Sequence, residues 1–238
     1  MSVDLSELVN LDDVERAALP RLPAGPRGYY IGGAEDEQTL RANRSAWSDW
    51  SVHFRVLRDV ANCDPATQLL GQRLEWPVML APTAYHRMAH DDGEVATARG
   101  AAATGTAMIL STLSNCPMED VARAATSGLW FQLYVYRDRG VTRELIRRAQ
   151  AAGCRAIAVT VDAPIAGRRE RDFRNQFTFP SHLPMSNLSG AGSDYSQPRT
   201  TDGGFMGYLN RMFDPSLTWR DLEWLVAESP LQIGRAHV

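Results

Sequence analysis

The sequence predicts an α/β protein built on a parallel β-sheet, with a helical extension ahead of it. Three observations carry this reading. Runs such as AIAVTV (156–161) are short, apolar and β-branched, as in strands covered on both faces. Between such runs lie segments whose apolar residues recur at helical spacing. The interval from one run to the next suits right-handed βαβ crossovers.

Each element has its own signal. Residues 5–19 read as a helix closed by PRLPAGPRG, and 35–47 as a second helix. WPVMLAP (76–82) is the first strand, and Asp91 or Asp92 is placed to cap the helix GEVATARGAAATG. TAMILST (106–112) is the second strand, followed by the helix MEDVARAAT. GLWFQLYVY (128–136) is the third, and its helix VTRELIRRAQAAG closes on Gly153. CRAIAVTVDAP (154–164) is the fourth. The polar, Gly/Ser-rich stretch from there to about 215 exceeds an ordinary βα loop and reads as a lid or a disordered segment. LTWRDLEWLVAES (217–229) is a further helix, and no fifth strand is expected after Pro230.

Composition narrows the function classes. With 238 residues, 44% hydrophobic and 22% charged, the chain has ample material for a core. A net charge of −3 gives no basic footprint, so nucleic acid is not an expected partner. Cys63, Cys116 and Cys154 lie far apart with no CxxC pair, which suits a reducing compartment. The start, MSVDLSELVNLDDVERAALP, has neither the basic nor the apolar region of a signal peptide, and no run is apolar enough to span a membrane. A cytoplasmic protein without membrane association is therefore expected. All 25 basic residues are arginine, which leaves no lysine for catalysis or phosphate binding. His86 and His90 have the i,i+4 spacing of a metal pair but no acidic third ligand, so no metal is expected. The six tryptophans, Trp47, Trp50, Trp76, Trp130, Trp219 and Trp224, read as packing residues.

The strand ends are where chemistry is expected. Side chains alternate along a strand, so Gln132 shares a face with Tyr134, and Thr160 with Asp162. A sheet clothed in helices has no wet face, so polar groups at its C-terminal ends need partners. That rim is where α/β barrels place active sites. Thr83, Ser111, Gln132 with Tyr134, and Thr160 with Asp162 repeat the pattern over four successive units. Beyond Asp162 stand Arg168, Arg169, Arg171 and Arg174, which a solvated face would also explain.

The motifs YYIGGAEDEQTL, APTAYHRMAHDDGEVATARGAA, WFQLYVYRDR and AVTVDAPIAGRRERDFRN resemble the FMN-dependent α-hydroxy-acid oxidase and dehydrogenase family, in matching order and spacing from about 29 to 231. That family includes glycolate oxidase, lactate oxidase, flavocytochrome b2 (an L-lactate dehydrogenase) and mandelate dehydrogenase. The resemblance implies a partial (β/α)8 TIM barrel, about its first four βα units, with FMN at the C-terminal rim. It makes 1–76 an N-terminal helical segment and substrate-side cap, and 77–232 the first half of the barrel with a long loop at 163–215. It implies that Pro82, Thr83 and Ala84 line the flavin ring, and that Ser111, Gln132 and Thr160 bond its heteroatoms. Tyr29 would bind the substrate carboxylate, Tyr134 would contact the substrate hydroxyl, Arg169 would be a substrate-binding, catalytic arginine on the long loop, and Asp162 would orient and charge the catalytic histidine. Leu113 would bound the pocket and leave room for a larger substrate side chain.

The implied reaction is oxidation of an L-2-hydroxy acid to the 2-oxo acid, by a full-length homo-oligomer. Two other readings stand beside it: another FMN barrel such as a flavin-dependent isomerase, and a truncated, non-catalytic binding protein. The resemblance places the base, a second substrate arginine, a flavin lysine and the phosphate loops beyond residue 231. The closing IGRAHV (233–238) matches the translation of a common sequencing adapter, so these residues are expected to be read-through, and the fragment inactive.

Overall fold

A computed structural model describes residues 4–163, 165, 167–191 and 204–236. In chain order its helices are α1 (Leu11–Ala18), α2 (Ala24–Ile31), α3 (Gln38–Ser45), α4 (Gly93–Ala103), α5 (Met118–Ala124), α6 (Arg139–Ala151), α7 (Glu170–Arg174), α8 (Gly204–Met212) and α9 (Trp219–Glu228). Its strands are β1 (Thr67–Leu69), β2 (Gln72–Leu74), β3 (Met108–Ser111), β4 (Leu129–Leu133), β5 (Ala156–Thr160) and β6 (Gln232–Ala236). The chain forms two compact units, Met1–Val56 with Gly167–Thr178, and Leu57–Ala166 with Phe179–Val238. The boundary thus falls before the hairpin β1–β2 instead of after residue 76. The hairpin joins the second unit because Gln72 donates to the Ser127 carbonyl and the Glu75 N–H bonds Gly105 O at 3.0 Å.

In the first unit, α1 opens on a capping box: Asn10 accepts from Asp13 N at 2.9 Å, and Asp13 accepts in return from Asn10 N. The stretch PRLPAGPRG, expected only as a break, contains a 3-10 turn and then all of α2's first turn. Pro26 is tolerated there because the first N–H groups of a helix have no partner inside it. α7 lies against α2. Arg171 forks onto Glu37 at 2.6 and 2.8 Å, and that pair holds the Glu37 carboxyl down at about 2. Gly28 is buried beside Asn175, whose amide a Cβ would strike. α7 itself shows that part of the supposed loop is ordered scaffold. So do the 3-10 segment Ser186–Ala191 and α8. The rest of that expectation, at 192–203, lies outside the described residues.

The second unit is built on a parallel sheet of order β3-β4-β5-β6. Leu110, Phe131, Leu133, Ile157 and Val159 are fully buried in it. α4, α5 and α6 supply the crossovers, and Gly153 ends α6 region in the left-handed conformation (φ +81°) that its expected role requires. Asp92 holds the N-cap position of α4, but its side chain makes no capping bond. α9 has a full capping box, with Thr218 N donating to Asp221 at 2.7 Å.

Three expectations are corrected here. WPVMLAP gives a single bridge, Leu80 to Met108, and no longer strand. Pro77 and Pro82 bracket it, and neither has an N–H to extend a ladder. A strand does follow Pro230: β6 pairs with β5 from Ala156↔Gln232 to Thr160↔Ala236. An open strand edge selects for backbone N–H and C=O groups, so a proline-free segment can fill it without a β-branched pattern. Finally, Trp47, Trp50, Trp76 and Trp219 are mostly exposed, between 55% and 80%, and so are not core.

Candidate active site

Parallel strands in register bring their C-terminal side chains side by side, and here that places a polar row across β3, β4 and β5. Ser111 is the register partner of Gln132, whose other neighbour on β5 is Ala158, two residues before Thr160. Ser111 Oγ stands 3.2 Å from Gln132 Oε1, and Gln132 Nε2 donates to Thr160 Oγ1 at 2.8 Å. Thr112 adds two bonds, its N–H to Gln132 Oε1 at 3.1 Å and its hydroxyl to Gln132 O at 2.6 Å. All four side chains are buried. The row therefore presents hydroxyl, amide and hydroxyl in sequence. Each of these can donate or accept, which suits a planar ring edge with alternating donors and acceptors.

Tyr134 continues the Gln132 face one step past β4. Burial, with a smaller effect from the Asp162 carboxylate, pushes its phenol up to about 12. Its ring stacks on Phe213 with centroids 4.2 Å apart and planes 17° from parallel. Asp162 itself is exposed. Leu113 is buried, its N–H bonded to Ser111 Oγ at 3.1 Å and its carbonyl accepting from Tyr85 N at 3.3 Å. Pro82 and Ala84 are half-buried and Thr83 is exposed.

The turns that carry these groups are tied by residues that no sequence motif marks as functional. Glu94 is fully buried and accepts from the N–H groups of His86, Asn115 and Cys116 at 3.0, 3.0 and 3.1 Å. In a sequence, an acid in a helix's first turn looks like an ordinary dipole partner. Asn115 donates to Pro184 O at 2.9 Å, and Asn187 accepts from Met118 N at 2.9 Å. These bonds fasten the 184–187 stretch to the turns after β3. Neither asparagine belongs to a periodic pattern.

Tyr29 and Arg169 belong to the first unit, and the other candidates to the second. The structure brings these two together: Arg169 donates to the Tyr29 carbonyl, and its guanidinium lies 5.0 Å from the Tyr29 ring centroid. Asp172 holds the guanidinium from the other side at 2.9 Å. Of the remaining arginines, Arg171 is paired with Glu37, Arg174 with Glu170, and Arg168 stands over Phe173. The two histidines are used locally. His86 Nδ1 meets Thr97 Oγ1 at 2.9 Å, and His90 Nδ1 accepts from Asp92 N at 3.2 Å. Among the described residues no cluster of three or more His, Cys, Asp or Glu could hold a metal.

Comparison with known proteins adds a further finding. Residues 18–234 match the family described as FMN-dependent dehydrogenase. Glycolate oxidase 3 of Arabidopsis thaliana is 43% identical over 227 residues, 95% of this chain and 61% of that protein. L-lactate oxidase of Nostoc sp. is 42% identical over 233 residues, 96% of this chain and 64% of the relative. A crystal structure of mandelate oxidase with (S)-4-hydroxymandelic acid superposes with a TM-score of 0.89 at 37% identity, over 97% of this chain and 64% of that one. The chain thus spans somewhat over three fifths of the length of these relatives, and its sheet corresponds to part of their barrel.

Proposed function

The chain belongs to the FMN-dependent dehydrogenase family, and from that premise we propose that its strand tips are the flavin-facing part of a site that oxidises an L-2-hydroxy acid to the 2-oxo acid. The observation that carries the reading is the buried row Ser111–Gln132–Thr160 on three adjacent parallel strands. FMN fits that row by the chemistry of the donor set. The three side chains can face a ring edge that both donates and accepts, and the stretch Pro82–Ala84, half-buried at either end and exposed at Thr83, offers a backbone strip for the ring. When bound, FMN supplies the two-electron acceptor.

The remaining roles belong to this chain's own residues. Arg169, charged and already seated on Tyr29, binds the substrate carboxylate with the tyrosine phenol. Tyr134 stays protonated at neutral pH and donates to the substrate hydroxyl or to the oxygen it becomes. Asp162 orients the histidine that takes the hydroxyl proton, a residue that the resemblance places beyond 231. Leu113 bounds the side of the pocket where the substrate's own side chain sits, and leaves room for a bulky one.

Titration of FMN with the chain, followed by flavin fluorescence, tests the seat. Weak but saturable quenching is expected for the native chain, because the resemblance places the flavin lysine and the phosphate loops beyond 231, and about tenfold weaker binding still for Gln132→Leu, the effect of losing roughly one good hydrogen bond. Quenching that is absent, or identical in the two proteins, would remove the flavin from this row.

A further inference from the structure

Phe213 comes from far along the chain, just past α8, yet its ring lies flat on that of Tyr134 at 4.2 Å and 17°. The backbone explains how it is held. Residues 212–214 run antiparallel to the segment leaving β4, with a bridge Tyr136↔Phe213. Arg137 N donates to Met212 O and Asp214 N to Val135 O, both at 3.0 Å. The next residue, Asp214, takes a bond of 2.6 Å from Arg139 at the start of α6. The same guanidinium nitrogen reaches Asp221 in the first turn of α9 at 2.7 Å. Phe213 is thus fixed by backbone bonds on the residues either side of it, by its own N–H bond to Leu209 O at 3.0 Å and by an ion pair on the next residue. A second aromatic contact, edge-on to Tyr136 at 5.5 Å and 79°, leaves its ring one orientation.

The two stacked rings are neighbours on the wall of a small cavity of about 70 Å³, which Thr160 and Ala163 also line. One face of the Tyr134 ring is therefore closed off by Phe213, while Thr160, from the polar row, borders the space beside it. A phenol that must meet a substrate hydroxyl at hydrogen-bonding distance loses efficiency if its ring can swing.

We propose that Phe213 is a positioning residue, whose stacked ring holds Tyr134 in the single orientation its phenol needs toward the substrate. The assignment rests on the function proposed above for Tyr134. Its direct consequence, that Phe213 sets the orientation and environment of one tyrosine, does not. The pairing also gives helices α6 and α9 a route to the site, because Arg139 grips the residue next to Phe213 and the first turn of α9 at once.

The test is NMR of the 238-residue chain carrying ring-labelled tyrosine, with the Tyr134 signal identified by its loss in Tyr134→Phe. In the native chain that signal should carry the ring-current displacement of a stacked neighbour and titrate near 12. In Phe213→Leu, which keeps an apolar group of similar bulk, the displacement should vanish and the midpoint should fall by about one pH unit toward the ordinary value of 10.0. Phe213→Tyr should restore both. Tyr85, which stacks edge-on with Phe179 at 4.5 Å, is the internal reference and should not move.

A Tyr134 signal unchanged in Phe213→Leu and in Phe213→Ala would overturn the assignment. So would displacement of Tyr85 along with Tyr134, or loss of the fold in both variants, since Phe213 would then be a core residue without a specific task. Adding FMN to the same samples separates the two claims. Failure to bind it would count against the flavin seat and leave the stacking result standing.

Discussion

A tyrosine phenol buried beside a carboxylate resists ionisation, and Tyr134 shows what that implies for stability. Its phenol is raised from 10.0 to about 12 by burial, with Asp162 adding to the effect. Burial alone does most of the same for Cys154, whose thiol rises from 9.0 to about 12. In both groups the protonated form is neutral, so the unfolded chain gives up these protons first as pH rises. Their contribution is complete below about pH 9 and is lost between that point and pH 12. For Tyr134 alone the loss amounts to ~3 kcal/mol. Urea denaturation from pH 8 to 11 should therefore show a stability that falls steeply above pH 9. In a Cys154→Ala, Tyr134→Phe double variant the fall should be shallower, and equal slopes in the two proteins would refute the assignment. The candidate residues differ in how legible they were. Ser111, Gln132, Tyr134 and Thr160 could be read because strand alternation sorts polar from apolar side chains before any contact is known. Phe213 could not. A lone phenylalanine between α8 and a proline has no period, and only the fold brings it to a tyrosine 79 residues earlier.

Elements were legible where periodicity or capping defined them and not where a tertiary partner did. The crossover helices and the central strands follow from the apolar spacing. The short first strand and the helix α2 do not, because prolines at 77 and 82 limit one while the proline at 26 is harmless in the other. Glu94 belongs to this scale, since it joins elements instead of completing one. Its carboxylate collects the N–H of His86 from the turn ahead of α4, and those of Asn115 and Cys116 from the turn after β3. Those two turns flank Pro82–Ala84 and Ser111–Leu113, so Glu94 fixes the distance between two parts of the proposed flavin seat. Glu94→Ala would leave the N–H groups of His86 and Asn115 unpaired and Cys116 N with Ser114 Oγ, at 3.1 Å, as its remaining acceptor, at a cost of about 2 kcal/mol or more. Glu94→Gln keeps an acceptor oxygen and should recover part of that. Chemical denaturation of the three proteins checks the order. Equal midpoints for Ala and native chains would mean that water, not Glu94, satisfies the turns.

At the scale of the whole chain, the question is what covers the edge of β5 in the parallel sheet. Parallel sheets bury both faces, and a bare edge presents unpaired backbone to any extended segment. The sequence alone suggested that the strand ending at Thr160 would be left bare. In the structure it is not, because β6 supplies five register partners along Ala156–Thr160. Position favours this pairing, since only three residues separate the end of α9 from the start of β6. The surface adds to the need for cover: Trp47, Trp50 and Phe54 are 77%, 80% and 89% exposed, which already favours association. Removing 232–238 should therefore expose the edge of β5 and loosen Thr160, the last member of the polar row. Losing several net hydrogen bonds would cost on the order of 3 kcal/mol. For a domain of this size that is a fall in Tm of roughly 6–12 °C. Light scattering should rise on the same samples, since the freed edge can pair between molecules. If the shortened chain melted at the same temperature and stayed as disperse as the native one, β6 would be an incidental strand, and the sheet's stability would have to come from the helices alone.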